Sequence, residues 1–416
     1  MENHMSYLFN DKVGFKDNAV DAFNRLKTSN PFTLFDSQHR YAMNDKWDTF
    51  GVTGGTANYI LNESAINLVV GTTLGCKVTR ETKRVFAYQP GKSLLVLNTF
   101  ALNTPKEGLI QRVGYFGITG GATSGVPYNG IYLQQNGLTL SLCLASGSLN
   151  SITTVNQSDW NTDKFNGSGA SGRLLDVTKG NIFWMDIEWL GVGDVRTGFI
   201  VDGKPIIAHT FHNENIHSTT YMTTACLPIR YEIFNGATTA SSSTMKQICS
   251  TVMSDGGYEG FSRRYNVTHS GVTAHTLTTA GVQTPMVALR LPSNRLDAIV
   301  IPANVSAVLE QQTSPAAPDT VQYRILLNPT LTGGTWSTHF NGNVEYNITA
   351  TGVSGGEDII GGYISSSGSL DINNVNEFNF QLGRTQKGVS DTFVLTLTPV
   401  NNGARVYTDL SWFELI

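Results

Sequence analysis

The sequence predicts an almost all-β chain, and three observations carry that reading. Charged residues fill 14% of the 416 positions, against about 25% in a typical soluble domain. Their place is taken by 42 glycines together with Thr, Ser and Asn, which suit strands and tight turns better than helix surfaces. Apolar residues, 40% of the chain, fall in short runs broken by Gly, Asn or Pro, and no fixed period marks a solenoid or propeller.

At this length two or three domains are expected. Residues 1–60 differ from the rest. Ala19, Phe23 and Leu26 share a face, Asp17 or Asn18 can cap it and Asn30-Pro31 stops it, which predicts one helix over 18–28. The next stretch, PFTLFDSQHRYAMNDKWDTF, is rich in aromatics but has no clear period, and reads as an extended arm. Burying the helix face alone does not offset the entropy of ordering such an arm. Phe32, Leu34, Phe35, Tyr41, Trp47 and Phe50 must therefore contribute, since exposed apolar patches of this size are rare on monomers. Assembly contacts are expected at Phe23, Leu26, Phe32, Phe35, Tyr41 and Trp47, with an arm folded onto its own domain as the alternative.

Between 61 and 260, strands are predicted at 65–70, 94–100, 111–117, 130–135, 138–145, 182–190, 195–201, 206–211 and 229–234. Asp202-Gly203 between two apolar runs signals a hairpin with a primed turn. In 183–189, Phe183, Met185, Ile187 and Trp189 alternate with Trp184, Asp186 and Glu188, the pattern of a half-buried strand. Residues 261–285 are rich in Thr, His and Gly without periodicity, and read as a linker. A second β domain over 286–416 has strands expected at 287–291, 298–309, 323–327, 344–349, 359–365, 378–382, 393–399 and 405–415, the pattern of a sandwich or jelly roll.

A formal net charge of −4 argues against nucleic acid, whose binders carry a basic stripe. No apolar stretch approaches the roughly 20 residues of a membrane helix, and residues 1–12 lack a signal-peptide pattern. Synthesis in a cytoplasm, with no membrane or nucleic-acid partner, is expected. Cys76, Cys143, Cys226 and Cys249 lie far apart, as isolated buried thiols would.

Motifs for catalysis are weak. Gly167-Ser-Gly169-Ala-Ser-Gly172 fits G-x-G-x-x-G, but no strand precedes it and no helix comes after, so it reads as a surface loop. Asp186 and Glu188 point the same way from one strand, as in sandwich glycosidases that set two carboxyls about 5–9 Å apart. The first Glu of their Glu-x-Asp-x-Glu pattern is here Trp184. The three residues Trp184, Asp186 and Glu188 instead suit a glycan-facing surface, with the indole as a stacking platform. His209, His212 and His217 lie near Glu214, but alternation sends His209 and His212 to opposite faces, as solvated histidines at a hairpin end. No catalytic residue, cofactor or metal ligand is assigned.

Several stretches resemble a family of structural proteins recurrent in tailed phages, especially marine ones, with relatives in large DNA viruses. They are NPFTLFDSQHRY (30–41), TRETKRVFAYQPGKSLLVLNTF (79–100), RVGYFGITGG with NGIYL (112–133), DIEWLGVGDVRTGFIVDG (186–203), and LPIRYEI with MKQICSTVMSDGGY (227–258). NPTLTGGTW and SGGEDIIGGY resemble the C-terminal region of such proteins. The resemblance implies a virion location, as capsid decoration, head fibre or tail component, and a concanavalin-like sandwich over 61–260. It also implies partners in other virion proteins and other copies of the chain, a trimer being favoured. It supplies no catalytic residues. The alternatives are a glycan-binding module for host attachment and, behind it, a glycosidase or lyase using Asp186 and Glu188.

Overall fold

The computed structural model describes residues 30–119, 125–257, 262–310, 320–365, 369–373 and 381–415. The helix expected over 18–28, with Phe23 and Leu26, lies outside them. The described chain is all-β, built of packed antiparallel sheets, with only two 3-10 turns, Leu61–Glu63 and Gln157–Asp159.

Two antiparallel sheets build the first sandwich. One runs Lys204–Phe211, Val195–Val201, Asn181–Ile187, Ser93–Ala101, Ser243–Asp255, Ala65–Val70, Thr56–Ile60, with Pro31–Ser37 also pairing to Ser243–Asp255. The other runs Ser151–Asn156, Thr139–Ser146, Val126–Asn136, Leu109–Thr119, Ile229–Asn235, Lys77–Thr82, Trp47–Val52. Alternation places each strand: in Ser93–Ala101, Leu94, Val96 and Phe100 are buried while Leu95, Leu97 and Thr99 are half-buried. They join Phe183, Met185, Tyr115, Val113, Leu142 and Tyr231 in one core. The Asp202-Gly203 hairpin forms with both residues at positive φ, 52° and 75°, as a primed turn requires.

Two expectations are decided by the described residues. From residue 30 on, the expected arm takes the stated alternative and folds onto its own domain. Pro31–Ser37 and Trp47–Val52 are strands of the two sheets, and Phe35 and Trp47 are 3% and 4% exposed inside the core. Phe32 is half-buried, and only Tyr41 stands out in solvent. A register shift between Thr33 and Phe35 breaks the period of two that alternation needs, which hid the strand. The expected linker is also structured. Ser262–Thr268 and His275–Leu277 both pair with Ala404–Leu415, and Leu277 is buried. The first of these, SRRYNVT, sets only Tyr265 and Val267 against the second core, too short an apolar alternation to stand out among polar neighbours.

The second sandwich therefore starts at residue 262. Ser262–Thr268, Ala404–Leu415, Ile299–Glu310 and Ser369–Asn373 form one sheet, with His275–Leu277 beside Ala404–Leu415. Ser337–Thr338, Glu345–Asn347, Thr284–Arg290, Thr392–Pro399, Thr320–Leu327 and Glu357–Ser365 form the other. Val300, Val305, Leu410 and Trp412 meet Val287, Leu289, Ile325 and Leu395 between them.

The two sandwiches are firmly docked. Val85 packs with Ile299 and Ile301, flanked by Ala87, Cys226, Phe413 and Leu415. Around that patch the segment after Gln381 reaches across. Arg384 donates its backbone N–H to Lys83 O (2.8 Å), Gln386 donates its own to Asp48 Oδ2 (2.7 Å), and Arg384 pairs with Glu81. Strand Lys77–Thr82 (KVTRET) is consequently buried along its whole length.

Beneath that contact lies a charge cluster. Glu232, fully buried, meets Arg230 and Arg112 at 2.9 Å and Lys77 at 3.1 Å, and Arg230 also reaches Glu81 at 2.5 Å. Burial alone would push the Glu232 carboxyl up; Arg230, Lys77 and Arg112 outweigh it and hold the group at about 2.

Candidate functional site: a charged groove at the sandwich edge

Where strand Asn181–Ile187 ends, the chain turns through 188–194 into Val195–Val201. The turn is closed by Glu188 N–H to Asp194 O (3.1 Å) and Gly193 N–H to Trp189 O (2.8 Å). A Cβ at Gly193 would sit 2.3 Å from Glu188 O, so only glycine fits there. Asp186 and Arg196 face each other across the two strands and form an ion pair.

This turn, with the segment 88–93, walls a groove of about 460 Å³ lined by Tyr88, Lys92, Asp186, Glu188, Asp194 and Arg196. Tyr88 and Lys92 also border a second groove of about 520 Å³ along the seam between the sandwiches, reaching Trp189, Thr224, Arg295 and Asn343. Thr224, Cys226 and Asp297 carry it on into a third space of about 540 Å³ beside Tyr128 and Gln386. Grooves at domain seams are common ligand sites. Here the docking of the sandwiches preforms the track.

The structure keeps Asp186 and Glu188 at the groove but removes Trp184 from it. Trp184 is 6% exposed, in register with Leu97 and Gly198, and offers no open ring face for stacking. The aromatic pair at the groove is Tyr88 with Trp189, edge to face with centroids 6.0 Å apart. Alternation assigned Trp189 to the core side of the strand, and Trp189, half-buried just past the strand's end, does pack against the first core while also bordering the seam groove.

The histidines divide. His209 is buried, accepts the Asn161 N–H at 3.2 Å, and is held near 4, by burial first and the charge of His212 second. His217 is exposed. His212 meets Asp194, Nδ1 to Oδ2, at 2.9 Å. A register shift between Thr197 and Gly198 slips the hairpin by one residue and sets Asp194 opposite His212, a pairing the sequence does not announce. Asp194 is raised by burial and by its contact with Glu214, whose own carboxyl is lowered by that contact.

The Gly167–Gly172 loop folds around Asp163, whose carboxylate accepts the N–H groups of Phe165 (2.8 Å) and Ser171 (2.7 Å). No helix comes after it among the described residues. All four cysteines are free thiols.

No protein-family model matches the chain, and no curated protein matches it. Similar solved structures include the carbohydrate recognition domain of Emp47p, with 13% identity over 58% of this chain and 99% of that one at TM-score 0.33. The endo-β-1,4-glucuronan lyase of the fungus Trichoderma reesei has 14% identity over 53% of this chain and 95% of that one, at TM-score 0.36. The CBM2 module of the evolved Dit of Lactobacillus casei BL23 phage J-1 has 7% identity over 56% of this chain and 100% of that one, at TM-score 0.35. At such identities and scores, no ligand or activity passes from these proteins to this chain.

Proposed function

We propose that the chain is a non-catalytic glycan-binding protein, carried on a virus particle, that holds a neutral oligosaccharide along the groove and the seam. The observation that carries the reading is the convergence of Asp186, Glu188, Asp194, Lys92 and Arg196 around Tyr88 in a track that continues between the sandwiches. Carboxylates accept from sugar hydroxyls, while ammonium and guanidinium groups donate to them. Three acidic groups against two basic ones disfavour phosphates and uronates, so a neutral glycan is the class that fits.

Two features favour holding over cleaving. Asp186 is engaged by Arg196, and Trp184 stands where a glycosidase of this pattern carries its first carboxylate. The virion setting rests on the family resemblance, as does association with other virion proteins and with copies of itself as a closed homo-oligomer, a trimer by preference. Several weak sites on one oligomer would gain avidity through effective concentration.

On an array of neutral, acidic and basic oligosaccharides, the chain is expected to retain neutral tetrasaccharides or longer chains. Glu188→Ala and Lys92→Ala should each weaken binding about tenfold, or about 1.4 kcal/mol, with no change in melting temperature. Failure to retain any neutral glycan, or full retention by both variants, would overturn the proposal.

A further inference from the structure

We propose that Asp194, His212 and Glu214 form a site for one first-row divalent cation, zinc or manganese, at the mouth of the groove. The cation site does not rest on the glycan reading. One donor atom from each residue lies within 4.8 Å of the others. His212 and Glu214 are exposed, so both can draw in to the about 2.0–2.2 Å that such an ion takes from nitrogen and oxygen ligands.

The carboxylates of Asp194 and Glu214 converge with the His212 ring nitrogen within 4.8 Å, so a cation among them would meet two acidic oxygens and one nitrogen at once. The loops that present the ligands are tied together: Asn213, 3% exposed, donates Nδ2–H to Gly193 O at 2.9 Å.

A second observation comes from a third segment. Tyr221 is wholly buried, its backbone N–H bonded to Gly191 O at 2.9 Å, and its hydroxyl has no hydrogen-bond partner among the described residues. That backbone bond holds Tyr221 against the 188–194 turn that carries Asp194, and burial first, then the charges of Tyr88, Asp194 and Glu188, push its hydroxyl up. Asp194 Oδ1 is also shielded from solvent and unpartnered among them. Buried polar atoms without partners are rare in folded proteins, and each calls for a cause. A cation between the three ligands would engage the carboxylate, and a water bound to it would accept the proton of Tyr221.

The donor set decides the class of ion. An imidazole with two carboxylates favours zinc or manganese over calcium and magnesium, which take oxygen ligands alone. Three protein ligands leave a position open to solvent or to a ligand hydroxyl.

Metal-stripped full-length chain should be titrated calorimetrically with Zn²⁺ and Mn²⁺, with Ca²⁺ and Mg²⁺ as controls. The expected result is one Zn²⁺ or Mn²⁺ per chain, bound at least tenfold more weakly by His212→Ala and by Glu214→Gln. His217→Ala, which removes an exposed histidine outside the cluster, should bind as the parent does. Both ligand positions are exposed, and an unchanged circular dichroism spectrum shows that the variants are folded. The proposal is overturned by three outcomes: no stoichiometric zinc or manganese, binding that survives in both ligand variants, or calcium bound as tightly as either ion.

Discussion

Glu232→Gln is expected to destabilise the first sandwich by about 3–5 kcal/mol at neutral pH, the usual effect of leaving buried charges uncompensated. The substitution nearly keeps shape and volume, so the loss reports charge. It leaves Arg230, Lys77 and Arg112 facing one another, with Glu81 left to balance them. An independent route gives a similar size. The carboxyl lies at about 2 in the fold against an ordinary 4.5, a difference worth about 3 kcal/mol. Because the folded value is depressed, the contribution is present above pH 4.5 and is lost as pH falls toward 2. Urea unfolding at pH 7 and at pH 3 checks both points. The gap between parent and variant should be wide at about pH 7 and narrower at about pH 3; a gap under about 1 kcal/mol, or one independent of pH, would count against the network.

Trp47→Ala is expected to cost about 3–5 kcal/mol, the range for truncating a large buried aromatic. The ring packs edge to face on Phe35 (6.0 Å) and Tyr231 (5.7 Å), with the Arg80 guanidinium 5.8 Å from its centre. Its Nε1–H bonds to Ser37 Oγ at 2.7 Å, so truncation also strands a buried hydroxyl. The same contacts join Pro31–Ser37 to Trp47–Val52 through the core. Chemical denaturation followed by tryptophan-independent circular dichroism would measure the loss. Deleting residues 1–50 should be more damaging still, because it removes both Phe35 and Trp47.

What was legible in the sequence tracks how the strands are buried. Val195–Val201 and Ala65–Val70 stand out because one face meets a core and the other does not. Lys77–Thr82 escapes notice for the opposite reason: KVTRET is covered on both sides, and its charges are satisfied by Glu232 and Arg384, far away in sequence. Bulges hid more. The shift at Thr33/Phe35 disguised the first strand, and the one at Thr197/Gly198 concealed that Asp194 meets His212. Asp186 and Glu188 were visible as a pair on one face, but their setting was not. The ion pair to Arg196, the groove wall from Tyr88 to Lys92 and the covered Trp184 come from neighbouring strands and the 88–92 turn, which local periodicity does not report.

A crystal of the chain grown with a neutral oligosaccharide retained on the array tests the central claim most directly. The predicted result is an intact sugar chain lying from Asp186 and Glu188 past Tyr88 and Lys92 into the seam, with both ends of the added oligosaccharide accounted for. A cleaved product in the groove, or a sugar bound elsewhere with the groove vacant, would contradict it.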